Sequence, residues 1–233
     1  MSMVTVIVPA NRRGMTTPER YREAVLSADA DLEDQPLDAQ IEILIGQATM
    51  RSETYCNRIF AREQVIETVY LQGEAVILLT RVPVVAIHSV TLDGMVQADT
   101  RWTMTDPTAG VLYLGYADAS RSAFYQALGS GTYGWPSTPQ HRVRVEVDYT
   151  GGWIMPGEAD ANFPMDLEGA AQLMVRELSE RVSLSRLDVT SEKLGDASWS
   201  YGGGGSGGKD ATPTGPFDTL IAPILDRYRL SPL

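Results

Sequence analysis

The stretch Pro164–Tyr201, PMDLEGAAQLMVRELSERVSLSRLDVTSEKLGDASWSY, contains two kinds of chain. Its first half reads as a helix. Pro164 breaks the preceding chain, and Asp166 and Glu168 supply acidic first-turn residues. Leu167, Ala170, Ala171, Met174, Leu178 and Val182 then recur at three- and four-residue spacing, which places them on one face. The pattern fades near Leu187. Its second half is polar but carries Leu194, Trp199 and Tyr201, and it runs into glycines from Gly202. Large apolar residues on a polar arm with no core of its own predict a segment that orders on another surface.

Around that stretch, the totals predict a folded protein. Of 233 residues, 43% are hydrophobic, enough for a core. There are 30 acidic and 19 basic residues, for a formal net charge of -11. No Lys/Arg cluster stands out, which argues against a groove that grips phosphates. The lone cysteine, Cys56, sits on a predicted helix and reads as a small buried hydrophobe; an intrachain disulfide is excluded. The apolar run Met1–Ala10 lacks a basic segment before it and is too short for a signal peptide or a membrane span. The expectation is a soluble protein of a reducing cytoplasm, with no membrane contact.

In chain order, Met3–Val8 alternates like a strand or an arm that adds to a sheet edge. Thr17-Pro18-Glu19 reads as an N-cap followed by proline at the first helical position, opening a short helix through Tyr21 and Val25. An acidic linker, Asp29–Pro36, closes this N-terminal extension (1–36). Asp38 opens a strong helix with Ile41, Leu44, Ile45, Ala48, Tyr55 and Ile59 on one face, ending near Phe60.

From Arg62 to Tyr149 the period becomes two. Val65–Leu71 and Ala75–Leu79 read as strands around the turn Gln72-Gly73-Glu74. Val84–Leu92 reads as a strand closed by the hairpin turn Asp93-Gly94, and Trp102–Thr105 with Val111–Leu114 as a further hairpin. Val143, Val145 and Val147 alternate with charged residues, as in a strand with one wet face. Between the last two strands, Gly115–His141 is long and irregular and holds Phe124, Tyr125, Tyr133 and Trp135. These four aromatics form either a lid on the sheet's own core or a docking loop for a neighbour.

The predicted fold class is α+β. A helical body (37–61 and 164–188) brackets an antiparallel β-insertion (62–150). A flexible arm (189–216) and a C-terminal helix (217–233) follow, with Pro223 kinking that helix or starting a second one.

No catalytic or cofactor chemistry emerges. Gly203–Lys209 has the spacing of a phosphate-cradling loop, but Asp210 stands where Ser or Thr must hold magnesium. No buried strand precedes it. His88 and His141 lack metal-ligand spacing. Asp93, Asp99 and Asp106 lie in or near turns that use Asp for their own backbone hydrogen bonds. No nucleophile–base pair is signalled. The expectation is therefore no enzyme activity, no cofactor and no metal.

Several short pieces in this order resemble the head-to-tail connector (adaptor) proteins of long-tailed bacteriophages and gene transfer agents. They are Tyr55–Phe60, Leu79–Val84 leading to Ile87–Val90 and Asp93-Gly94, Val147–Gly152, Pro164–Leu167, Val189–Asp196 and Leu225–Arg229. The extension before Asp29 and the length of the loop Gly115–His141 depart from the family's pattern. The resemblance implies a structural protein of the virion neck, assembled in the host cytoplasm as a ring of copies, commonly twelve. Such a ring sits below the portal protein and extends the DNA channel. It docks the next connector (a stopper or tail-completion protein) or the tail, while DNA passes without specific binding. It also implies that the C-terminal part reaches onto the portal, which makes Leu194, Trp199 and Tyr201 candidate contacts to the portal or a neighbouring copy. A tail-completion or other neck protein is the alternative. An unrelated enzyme is third and a nucleic-acid-binding module fourth.

Overall fold

The computed structural model describes residues 2–25, 37–71, 75–115, 143–186, 191–194, 197–200 and 217–230, with backbone alone for 180–186, 191–194, 197–200 and 218. The fold is α+β, and the chain forms two compact units. The sheet unit comprises Met1–Arg13, Asn57–Asn162 and Leu230–Leu233. The helical unit comprises Gly14–Cys56 and Phe163–Arg229.

The sheet unit holds β1 (Met3–Val8), β2 (Glu63–Leu71), β3 (Val76–Leu78), β4 (Val84–Leu92), β5 (Met95–Val96), β6 (Trp102–Asp106), β7 (Val111–Leu114) and β8 (Val143–Gly151). A five-stranded sheet has the order β1-β2-β8-β4-β5, and a three-stranded sheet the order β3-β7-β6. All pairings within these two sheets are antiparallel.

The two-residue alternation dictates what each strand buries. In β8, Val145, Val147 and Tyr149 are fully buried while their neighbours in sequence are partly exposed. They join one apolar cluster with Val65 of β2, Val90 of β4, and Ile77 and Leu112 of the smaller sheet. The turn Asp93-Gly94 has positive φ at both residues (46° and 84°), as a two-residue hairpin of this hand requires. Asp106 Oδ1 accepts hydrogen bonds from the Thr108 and Ala109 amides at 2.9 and 3.0 Å, so this aspartate does turn chemistry, as its setting predicts.

One expectation fails here. The strands on either side of Gln72-Gly73-Glu74 do not form a hairpin. β2 is paired over its whole length with β8, from Glu63↔Gly151 to Leu71↔Val143, and β1 occupies its other edge. β1 covers only Gln64–Thr68 of that edge, and β3 pairs with β7 in the smaller sheet.

In the helical unit, α1 (Pro18–Val25), α2 (Asp38–Cys56) and α3 (Met165–Arg186) pack together. Thr17 caps α1: its Oγ1 accepts from the Arg20 amide at 3.3 Å. α2 buries Ile41, Leu44, Ile45, Ala48 and Cys56; α3 buries Leu167, Ala170, Ala171, Met174 and Val175. α2 stops at Cys56, earlier than its sequence suggests, because Asn57 adopts left-handed backbone (φ 52°) and closes the helix. Tyr55, read as a core residue, is only half-buried.

The N-terminal residues are built into both units. β1 is an edge strand of the larger sheet, and Met15, Thr16, Thr17 and Tyr21 are buried in the helical unit. Glu168 of α3 accepts from Thr16 Oγ1 at 3.1 Å and from Arg20 Nη1 at 2.8 Å, which fixes this segment.

Candidate functional site

Two of the predicted docking residues lie in described strands. Leu194 ends β9 (Ser191–Leu194), and Trp199 lies in β10 (Ala197–Ser200). The two strands pair antiparallel, with Leu194 opposite Ala197 and Trp199 opposite Glu192. The sequence reading gave this stretch no regular structure; its backbone forms a two-stranded ribbon. The missed signal is Gly195-Asp196, a residue pair of the kind that two-residue hairpins use. Tyr201 lies outside the described residues, as do Phe124, Tyr125, Tyr133 and Trp135.

The segment after the ribbon is held by named contacts within the helical unit. A π-helical turn (Phe217–Ile221) leads into α4 (Ala222–Leu225) and a 3-10 turn (Asp226–Tyr228), with Pro223 in the first turn of α4, as expected of a proline that starts a second short helix. Ile221 and Leu225 are fully buried. Phe217 stacks edge-on against Tyr55 at 5.6 Å and lies under the Arg51 guanidinium at 4.4 Å. Tyr55 Oη donates to Asp226 Oδ1 at 2.8 Å, and this acceptor, with some burial, raises the Tyr55 pKa above its usual range. Tyr228 Oη donates to Asp166 Oδ1, also at 2.8 Å. The chain end is thereby tied to both α2 and the first turn of α3.

The strongest electrostatic feature is one that the sequence reading missed. β2 turns two carboxylates inward, Glu63 and Glu67. Arg13 pairs with Glu63 Oε1, and Arg81 Nε donates to Glu63 Oε2 at 3.1 Å. Glu67 Oε2 accepts from the Thr80 amide and Thr80 Oγ1, both at 3.0 Å, and from Tyr149 Oη at 2.7 Å. Tyr149 Oη in turn accepts from the Arg81 amide at 3.0 Å. Burial first, then the neighbouring Glu67 charge, push the Tyr149 pKa far above the ordinary value of 10.0.

These groups hold the segment Thr80–Pro83, which carries the chain from the smaller sheet to the larger. Arg58 holds the same segment from another side. Its guanidinium lies 4.6 Å from the Trp153 ring and donates to the Val82 carbonyl. A Cβ on Gly151 would stand 2.0 Å from the Arg81 carbonyl oxygen, so glycine is required where β8 passes this segment. The Leu79–Val84 and Val147–Gly152 pieces thus meet, and they meet for structural reasons. The donors on both oxygens of Glu63 and on Oε2 of Glu67, with a tyrosine held neutral, brace this segment.

A cleft of about 350 Å³ opens beside this network, between residues 8–11, β2 and residues 153–159. Its polar lining mixes signs, with Arg62, Glu63, Gln64 and Glu158. Among the described residues no group of three or more His, Cys, Asp or Glu is placed to hold a metal ion, and no helix is long and apolar enough to cross a membrane.

No protein-family model matches the chain, and no curated protein matches it. Solved structures do. A chain in the virion of a native gene transfer agent particle matches with a TM-score of 0.53 at 15% identity, over 99% of this chain and 97% of that one. A chain in the neck of the empty particle, computed with C6 symmetry, matches with a TM-score of 0.52 at 14% identity. One in the neck of the native particle, computed with C12 symmetry, matches with a TM-score of 0.51 at 15% identity. Both neck matches have the same coverage as the first. These three structural neighbours are gene transfer agent virion and neck chains, and at these identities the likeness is one of fold.

Proposed function

We propose that this chain is a structural protein of a virion neck, a head-to-tail adaptor that assembles as a ring below the portal. The observation that carries the reading is the end-to-end match to neck chains: 99% of this chain and 97% of theirs, with the N-terminal strand and the C-terminal segment inside the matched length. The C12 symmetry of the native neck favours twelve copies. The ring extends the DNA channel, and a net charge of -11 suits a wall past which DNA slides without being held.

In this reading the β9–β10 ribbon and Tyr201 dock on the portal or on a neighbouring copy. Antiparallel register puts positions 194 and 197, and 192 and 199, in cross-strand pairs, so Leu194 and Trp199 occupy one face of the ribbon. Phe124, Tyr125, Tyr133 and Trp135 are the candidates for a second docking loop. The function is assembly, without enzyme activity or a cofactor.

The test is made on particles. Deleting the gene should leave filled heads and free tails that do not join, and a tagged copy should label the neck in electron micrographs. Tailed particles of normal yield from the deletion strain would contradict the reading.

A further inference from the structure

The larger sheet exposes its apolar residues at its two edges. On β1, Met3, Val6, Ile7 and Val8 are 41% to 61% exposed. At the opposite edge, Val85 of β4 and Met95 and Val96 of β5 are 51% to 73% exposed. The two strands between, β2 and β8, contribute one exposed large hydrophobic residue, Tyr70.

β1 reads Met-Val-Thr-Val-Ile-Val, with no charge, no proline and no glycine. An edge strand in a protein that stays single is normally guarded by such residues, because its outer amides and carbonyls are a template for another strand. A register shift between Val6 and Val8 is the one irregularity in its pairing with β2. At the other edge, β5 covers β4 only opposite Thr91 and Leu92, so Val85–Ser89 has no outer strand partner among the described residues.

Strand direction makes the two edges compatible. From β1 through β2 and β8 to β4, every neighbour is antiparallel, so β1 and β4 run in opposite senses. A rotation between adjacent copies of a large ring is small and nearly preserves strand direction. The β1 of one copy therefore arrives antiparallel to the β4 of the next. A contact between two different edges of one chain is heterologous, the kind that closes rings.

We infer that copies of this protein associate head to tail through the larger sheet, with β1 of one copy laid along the open outer edge of β4, Val85–Ser89, of the next. The occupant of each edge is a second copy of this chain, and main-chain hydrogen bonds together with the apolar side chains of both edges form the contact. This inference rests on the multi-copy neck reading and specifies its subunit contact.

The test uses thiol trapping on the purified full-length chain. Its one native cysteine, Cys56, is buried, which leaves introduced thiols to report. Ile7→Cys marks β1 and Val85→Cys marks β4. Treated with a short bis-maleimide at high protein concentration, the double variant should give a ladder of covalent dimers, trimers and higher species. Each single variant should stay monomeric, and a mixture of the two singles should stop at dimers. Thermal melts of the variants matching the parent chain would show that the edges remain folded.

Trapped dimers from Ile7→Cys alone would show that β1 pairs with itself and would overturn the head-to-tail contact. A double variant that melts like the parent chain and stays monomeric would overturn it as well. Either result, combined with normal incorporation of the parent chain at the particle neck, would remove this contact and leave the proposed function standing.

Discussion

Tyr149 of β8 lies diagonally across from Glu67 of β2, and the tyrosine hydroxyl donates to the carboxylate at 2.7 Å with both residues fully buried. This bond ties the centre of the larger sheet to the Thr80–Pro83 segment, because Glu67 also accepts from Thr80 and Tyr149 from the Arg81 amide. The geometry of the sheet unit therefore depends on a neutral phenol beside the Glu67 carboxylate.

Tyr149→Phe should destabilise the protein by about 1–3 kcal/mol in denaturant titrations, the cost of leaving a buried acceptor short of a donor. The pH dependence follows from the raised pKa. Below pH 10.0 the phenol is neutral in both folded and unfolded chains. Above it the unfolded phenol releases its proton first, so the unfolded state binds fewer protons and stability falls as pH rises. The slope should reach about 1.4 kcal/mol per pH unit for this one group. In Tyr149→Phe that slope should shrink. An unchanged alkaline profile would remove Tyr149 from this role.

Glu63 separates two arginines by burial. Arg81 is 13% exposed and Arg13 is 53% exposed. Arg81→Ala should cost about 3–5 kcal/mol, as for one partner of a buried pair. Arg13→Ala should cost about 1 kcal/mol or less, because water screens the lost partner. Equal losses from the two would show that Glu63 is not held as its surroundings indicate.

The core of the helical unit can be separated from its surface. Met174 is fully buried on α3, whereas Ile43 of α2 is 62% exposed. Met174→Asp should lower stability by about 3 kcal/mol or more, or prevent folding, since a buried unpaired charge has no solvent. Ile43→Asp should stay within about 0.5 kcal/mol of the parent in thermal melts. A neutral Met174→Asp would refute the assigned helical core.

Local pattern made much of this fold legible. The alternation in Val84–Leu92 and Val143–Val147, the helical spacing from Leu167 to Met174, and the turn residues Asp93-Gly94 and Asp106 each specify structure within a few neighbours. What stayed hidden is set by distant partners. Nothing beside Glu63 in the sequence shows that Arg13, 50 positions away, will pair with it. Nothing beside Leu71 shows that β8 will pair along all of β2 while β3 joins another sheet. Within the candidate docking site, Leu194 and Trp199 read as apolar points on an arm, and their pairing into a ribbon depended on weighing Gly195-Asp196 as a turn.

Attachment should be separable from folding. Replacing Trp199 and Tyr201 together with Ala should leave the thermal melt of the free chain nearly unchanged and weaken attachment to portal rings, because Trp and Tyr most often dominate binding energy. A melt lowered by several degrees would assign both residues to the chain's own core.

The most direct measurement is the mass of isolated portal rings before and after mixing with this chain at micromolar concentration. The neck-adaptor account predicts a saturable gain of about twelve chains per ring, the symmetry of the native neck with which this fold aligns. A portal mass that stays unchanged, with the chain folded and in excess, would contradict it.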